Sequence, residues 1–265
     1  MGINTETVRF LSSSRGEYPR VLTLGAQSIY APEPEIRRIA LRTGREYRGA
    51  LWPTLGATLV EALDVSGYEG AEKVHDLNYS VPESWHASYD AVCDFGTLEH
   101  VFNTVAALKN CLQMVAVGGK FFSETPANNF FGHGFVQLGP EFFSSVLVPE
   151  NGFRLDRLRV VEFGPVRKWH SVVGLSPTST NMWPASVLVE ATRTELRPIF
   201  ASFPQQRRYA ELEWVHGAPQ PRHLLRLRGW VKNRFPGVAT ALDSVVVPFR
   251  DWSFRNPAFR RERKP

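Results

Sequence analysis

The sequence predicts an α/β chain built on an open, mostly parallel sheet with helices on both faces, and three observations carry that prediction. Between about residues 20 and 192, short apolar or β-branched runs alternate with amphipathic stretches, the rhythm of strand and crossover helix. Several of the apolar runs stop at a glycine or an aspartate, as strands do where a sheet turns toward a ligand. The chain has 265 residues and 43% apolar content, enough to bury roughly 70–75% of its unfolded surface without disulfides or a structural metal.

The elements follow in order. Arg20–Leu24 is the first strand, stopped by Gly25. A helix is expected from Glu33, with Ile36, Ile39 and Ala40 at i, i+3, i+4 behind Pro32 and Pro34. After a glycine-containing stretch at 44–57, Thr58–Leu63 is the second strand, ending at Asp64, and Lys73-Val74 leads a short third strand to His75-Asp76. Tyr89–Asp94 is a buried strand. Thr97 is the expected cap of one helix carrying Leu98, Val101, Val105, Leu108 and Leu112 on a core-facing stripe. Gly118-Gly119 turns the chain into the strand Lys120–Ser123, and a helix is expected at 140–148 behind Pro140. Later strands are expected at Arg157–Phe163 and Ser186–Thr192, and one more helix at His223–Arg234.

The net charge of +5 is unevenly spread. Residues 220–265 hold eleven Lys and Arg against three acidic residues, whereas residues 1–219 hold 20 basic against 23 acidic. A mildly acidic core with no interleaving of aromatic and basic residues argues against nucleic acid as a partner. Cys93 and Cys111 lie in apolar runs with no CxxC spacing, which suits a reduced interior. No apolar run reaches membrane-spanning length, and MGINTETVRF lacks a basic, then apolar, leader pattern, so a cytoplasmic protein is expected.

Four turns in sequence order resemble the cofactor-binding turns of class I S-adenosylmethionine-dependent methyltransferases, over roughly residues 19–195. The first is Val21-Leu-Thr-Leu-Gly-Ala-Gln27, which keeps one glycine of the family turn but has Thr23, Gln27 and Ile29 where an acid and further glycines are usual. The second is Leu63-Asp-Val-Ser-Gly67, in which a strand-end carboxylate accepts from two ribose hydroxyls. Gly25 and Asp64 lie 39 positions apart, wider than the roughly 20 of the dinucleotide pattern, and an insertion at 44–57 accounts for it. The third is Val74-His-Asp-Leu-Asn78, matching the turn that meets the adenine amino group. Either aspartate also reads as an ordinary cap or turn former. The most specific is Tyr89-Asp-Ala-Val-Cys-Asp-Phe-Gly-Thr-Leu-Glu-His100, followed by Val115-Ala-Val-Gly-Gly-Lys-Phe-Phe122.

The resemblance implies a Rossmann-like, doubly wound sheet of seven strands in residues 19–195, a lead-in at 1–18 and a basic C-terminal extension at 196–265. It implies S-adenosyl-L-methionine as cofactor, held by Leu24, Gly25, Ala26, Gln27, Asp64, Val65, Asp76, Leu77, Phe95 and Gly96. His100 is the expected base for a hydroxyl acceptor because an imidazole titrates near neutral pH, with His133 as second choice and Glu99 as orienter or direct contact. His100 also reads as a histidine bonding a backbone group beside a helix N-terminus.

The loop after the fifth strand, Pro126–Phe135, offers Asn128 and Asn129 for sugar hydroxyls, Phe131 for stacking, His133 and the preceding Glu124. With Gly139-Pro-Glu-Phe-Phe143 it is similar to bacterial methyltransferases associated with polysaccharide and glycoconjugate assembly, so a saccharide acceptor is expected. Asp94 and Glu99 make a poor ligand set, and no required metal is expected.

The basic stretch at 220–235 has the pattern of an interfacial helix, suited to the inner face of an anionic membrane, to an acidic polymer, to the core or to a second copy of the chain. The departures in the first turn leave open a catalytically degenerate scaffold protein. The lack of GxGxxG and of a Tyr-x-x-x-Lys pair argues against a nicotinamide-dependent reductase.

Overall fold

The computed structural model describes residues 2–67, 69–172, 181–206, 234 and 259–262. The helix expected at His223–Arg234, and with it the interfacial segment 220–235, lies outside the described residues apart from residue 234.

Nine strands form one sheet: β1 (Arg20–Leu24), β2 (Leu59–Asp64), β3 (Lys73–Val74), β4 (Tyr89–Phe95), β5 (Val115–Asn128), β6 (Phe153–Glu162), β7 (Lys168–Val172), β8 (Ala185–Arg193) and β9 (Phe259–Glu262). Their order is β3-β2-β1-β4-β5-β8-β6-β7-β9. From β3 to β5 neighbours are parallel; β8, β6, β7 and β9 continue the sheet antiparallel. The expected seven strands become nine because β7 and β9 pair outward from β6. The chain leaves β1 toward β2 and β3, then returns to its other side at β4, so a topological switch point lies between β1 and β4.

Alternation along the central strands divides the core between two faces. Leu22, Val92 and Phe121 pack on one side with Leu108, Cys111 and Leu112 of α4 (Thr104–Met114) and Phe143 of α5 (Pro140–Val146). Val21, Ala91, Cys93 and Phe122 pack on the other with Val8, Phe10 and Leu11 of α1 (Thr5–Ser12) and Ile36 and Ile39 of α2 (Glu33–Thr43). The period-2 reversal between neighbours in each strand is what a sheet covered on both faces demands. Residues 1–18, read as a lead-in, thus contain a helix of the core, started by Asn4, whose side chain accepts from the backbone N–H groups of Glu6 and Thr7. The stretch 44–57 holds a one-turn helix, α3 (Leu51–Thr54), with Leu51 and Leu55 buried.

One expectation about the helix after β4 is corrected. The segment is two pieces, a 3₁₀ turn at Leu98–His100 and α4 from Thr104, separated by Val101 in extended backbone. Asn103, not Thr97, caps α4, its side chain accepting from the Ala106 N–H at 3.4 Å. Thr97 instead donates its hydroxyl to the Leu24 carbonyl at 2.9 Å, binding the end of β4 to the end of β1. Of the expected core-facing stripe, Leu98, Leu108 and Leu112 are buried in one cluster and the half-buried Val101 packs against it, while Val105 is exposed. Strand β5 also begins before the glycine pair, at Val115, with a register shift where residues 116–119 pass Asp90. Gly119 is required there, since a Cβ would lie 3.0 Å from the carbonyl oxygens of Tyr89 and Asp90.

Candidate active site

The carboxyl ends of β1, β2 and β4 and the turn after β3 enclose a cleft of about 390 Å³ at the switch point. Nine of the ten cofactor positions expected from the sequence line it: Leu24, Gly25, Ala26, Gln27, Asp64, Val65, Asp76, Leu77 and Gly96. His100 lines it too. Phe95 is the exception. Its ring continues the alternation of Ala91 and Cys93 into the core and is 3% exposed, so only Gly96 of the pair reaches the cleft.

The first turn works with one glycine. Gly25 has φ +77, where an L side chain is strained, and its N–H donates to the Leu63 carbonyl at 2.7 Å, tying β1 to β2. A Cβ at Gly25 would lie 3.4 Å from Thr97 Oγ1 and 3.7 Å from Asp64 Oδ2, so the Asp64 carboxylate sits beside the turn. Gln27 folds back to donate to the Leu24 carbonyl at 2.7 Å, which explains how the turn holds its shape without the later glycines. Asp76 accepts from the backbone and side-chain amides of Asn78 at 2.9 and 2.8 Å. Those bonds, the backbone one foremost, hold its carboxyl below the usual range, so it is ionised as it borders the cleft.

Asp94 organises the turn above β4, a role the sequence reading gave to no residue. Its Oδ1 accepts from the N–H groups of Thr97 and Leu98 at 3.0 and 3.1 Å, and its Oδ2 from Ser123 at 2.7 Å. The turn therefore presents Glu99 and His100 from a fixed base. Burial raises Asp94, while its three donors pull it back. Glu99 lies entirely out of solvent with neither carboxylate oxygen hydrogen-bonded, and burial followed by the charge of Asp94 pushes it up to about 8. Glu99 is thus a neutral acid at neutral pH. Partial burial and the facing His133 ring lower His100, leaving it an unprotonated imidazole able to accept a proton.

The loop after β5 reaches this turn. Phe135 donates its N–H to the Glu99 carbonyl at 2.7 Å, and Gly134, at φ +71, passes so close that a Cβ would lie 2.6 Å from that oxygen. Only glycine fits, and the approach brings His133 to Glu99 and His100, with Nε2 of His133 3.6 Å from Glu99 Oε1 and the two imidazole centroids 4.9 Å apart. The three expected catalytic residues therefore meet.

The expected acceptor contacts fare differently. Glu124 is buried and accepts from Thr7 and, at 3.1 and 3.2 Å, from Asn4, so it anchors α1 to β5 rather than facing the cleft. Asn128 donates to the Asn181 side chain, and Asn129 to the carbonyls of Asn181 and Trp183 at 3.2 Å. Those amides fasten the loop to the segment entering β8. Phe131 stands 94% exposed at its tip. Residues that the sequence reading missed also line the cleft, among them His75, Asn78 and Thr97. Each lies within two positions of a predicted one, which was the available signal.

Strand order and cleft together define an open α/β protein with a cleft at the switch point of a Rossmann-like sheet. No protein-family model matches the chain, and no curated protein matches it in sequence. Solved structures similar to it include a chain from the complex of the Haloferax volcanii Trm112 methyltransferase activator with a protein assigned as a methyltransferase, at 14% identity and TM-score 0.46, over 72% of this chain and 90% of that one. N-methyltransferase NodS from Bradyrhizobium japonicum WM9, in complex with S-adenosyl-L-homocysteine, is similar at 15% identity and TM-score 0.40, over 72% and 86%. Methyltransferase CalH, complexed with the same molecule, is similar at 12% and 0.41, over 71% and 57%. Among the described residues no helix is long and apolar enough to cross a membrane.

Proposed function

We propose that the chain is an S-adenosyl-L-methionine-dependent O-methyltransferase acting on a hydroxyl of a saccharide or glycoconjugate. One observation carries the cofactor reading: four separate turns that resemble cofactor turns, the first through a single glycine, converge on one cleft of about 390 Å³, within the size range of small-molecule sites. Asp64 supplies two acceptor oxygens for ribose hydroxyls, Gly25 leaves backbone room, and Asp76 with the Leu77 N–H takes the adenine edge.

The acceptor oxygen attacks the sulfonium methyl in line, a C–O bond forming as the C–S bond breaks and its electron pair stays on sulfur. His100 takes the hydroxyl proton, with His133 and Glu99 behind it. His100 fits this role as an unprotonated imidazole on the cleft wall. The acceptor class rests on the resemblance of the loop at 126–135 to glycoconjugate-associated enzymes. A cytoplasmic setting, docking of residues 220–235 on the inner membrane face and self-association belong to the same reading.

Calorimetric titration with S-adenosylhomocysteine is the direct test. Stoichiometric binding that weakens at least ~10-fold in Asp64→Ala is expected, since the variant loses hydrogen bonds to a charged acceptor. Absence of heat with both S-adenosylmethionine and its product overturns the reading. With labelled methyl donor and envelope glycan extracts, His100→Ala is expected to lose roughly 10²–10⁴ in turnover while keeping product affinity.

A further inference from the structure

From Glu99, His100 and His133 we infer a binding site for one divalent transition-metal ion of the zinc class at the wall of the cleft. Among the described residues these three offer one ligand atom each, all within 4.8 Å of one another. Ligands at 2.0–2.2 Å around a tetrahedral ion stand about 3.3–3.6 Å apart. The 3.6 Å between His133 Nε2 and Glu99 Oε1 fits that edge and is too long for a hydrogen bond.

The second observation is that two of the three groups, Glu99 and His133, have ligand atoms with no hydrogen-bond partner. Both oxygens of the wholly buried Glu99 carboxyl, and the buried Nε2 of His133, accept and donate nothing. Buried polar groups are ordinarily satisfied, and a group of them facing one another calls for a species that completes them. The backbone is also shaped for the meeting. Gly134 is pressed against the Glu99 carbonyl in a conformation and a space that admit glycine alone, which brings His133 beside the two residues of the 3₁₀ turn.

The donor set selects the ion. Two imidazoles and one carboxylate, Glu99 releasing its proton to solvent as the ion binds, suit Zn²⁺, Co²⁺ or Fe²⁺, whereas Mg²⁺ and Ca²⁺ take oxygen ligands. His100 lines the cleft and is exposed, so the ion would sit at the cleft's edge, and three protein ligands leave a place for an exchangeable one. The expectation that methyl transfer requires no metal weighed only Asp94 with Glu99; His133, 33 residues beyond His100, joins Glu99 and His100 only through the fold. The inference goes beyond the methyl-transfer reading and does not depend on it. A bound ion takes the imidazole lone pairs that face it, so in the loaded protein His100 is a ligand, and its role as base belongs to the metal-free form.

The test is titration of the full chain, stripped with a chelator and dialysed, with Zn²⁺ by calorimetry and with Co²⁺ by visible absorption. One equivalent is expected, with ligand-field bands showing nitrogen ligation. Affinity should fall at least ~10-fold in His133→Ala and in Glu99→Gln, since loss of even an outer partner of a metal ligand typically costs about 10–100-fold. His133 sits in a surface loop, and both variants are checked for a cooperative melt. Equal Co²⁺ affinity in wild type and His133→Ala overturns the inference, whatever other histidines bind. A parallel titration with S-adenosylhomocysteine keeps the readings apart: product binding without metal binding defeats this inference alone, and metal binding without product binding defeats the methyltransferase alone.

Discussion

Asp156 and Glu190, in the antiparallel half of the sheet, and Asp94 and Glu99, in the parallel half, are two ways of burying a pair of carboxylates. In the first, Lys120 bridges both acids at 2.7 and 2.9 Å, Arg157 pairs with Glu190, and Thr192 donates to Asp156. Burial raises both acids, but these charges and hydrogen bonds outweigh it, and both end below the usual carboxylate range. In the second, Asp94 takes three donors and Glu99 none, and Glu99 is driven up. The first arrangement is complete in itself and needs nothing from outside. The second leaves a carboxyl, and the imidazole beside it, to be completed by a proton, an ion or a substrate, which is the condition of a working site.

That contrast is broken most forcefully by removing one group from each side. Lys120→Met removes the cation shared by the buried Glu190 and the half-buried Asp156, and is expected to cost roughly 1–3 kcal/mol, under the usual 3–5 for one partner of a buried pair because Arg157 and Ser14 stay on Glu190 and Arg154 and Thr192 on Asp156. Glu99→Gln in the metal-free protein replaces an already neutral group that has no hydrogen bond to lose, and is expected to leave stability within about 1 kcal/mol or raise it. Urea unfolding at neutral pH reads both. Equal losses in the two variants would falsify the distinction between a structural network and an unfinished site.

A smaller effect sharpens the same comparison through pH. Asp156 and Glu190 have depressed folded values, so the unfolded chain binds more protons than the folded one as acid is added. Their contribution is therefore complete above the ordinary carboxylate range and is lost as pH falls from about 4.5 through the lower folded values. The free energy of unfolding in wild type should drop more steeply between about pH 5 and pH 3 than in Lys120→Met, where the depression has lost a main cause. Parallel pH curves would show that Lys120 does not hold these acids ionised.

How much of this was legible from the sequence follows the range of each interaction. Much of the cleft could be read because Gly25, Asp64, Asp76 and Gly96 stand at or just past strand ends, where a glycine or aspartate marks the stop, whereas Glu69 and Val101 carry no such sign. Phe95 was misplaced by one step of the β alternation, which sends it to the core. The split of the helix after β4 has a local sign in Asn103-Thr104, a capping pair that competes with the stronger apolar stripe. Likewise Asn4, two residues before Glu6, marks the start of α1. The acceptor side had no local sign. Glu124 meets Asn4 and Thr7 across 120 and 117 positions, and Asn129 meets Trp183 across 54, distances at which only the folded sheet decides who is adjacent.

Phe131 is the member of that side whose role the fold leaves unspent. Its ring is 94% exposed at the tip of the loop that carries His133, whereas Phe102 and Phe135 pack edge to face at 5.6 Å. An exposed ring with little packing contributes little to folding, so Phe131→Ala should change stability by no more than about 0.5 kcal/mol. That near-silence makes the variant informative. If the loop presents Phe131 to a sugar face, removing it takes away contact made equally in the bound and transition states, which raises KM for the acceptor and spares kcat. Product affinity at the cleft, which Phe131 does not line, should stay the same. Steady-state kinetics with a glycan acceptor would therefore show a several-fold rise in acceptor KM alone, and an unchanged KM would remove Phe131 from the acceptor surface while leaving Glu99, His100 and His133 untouched.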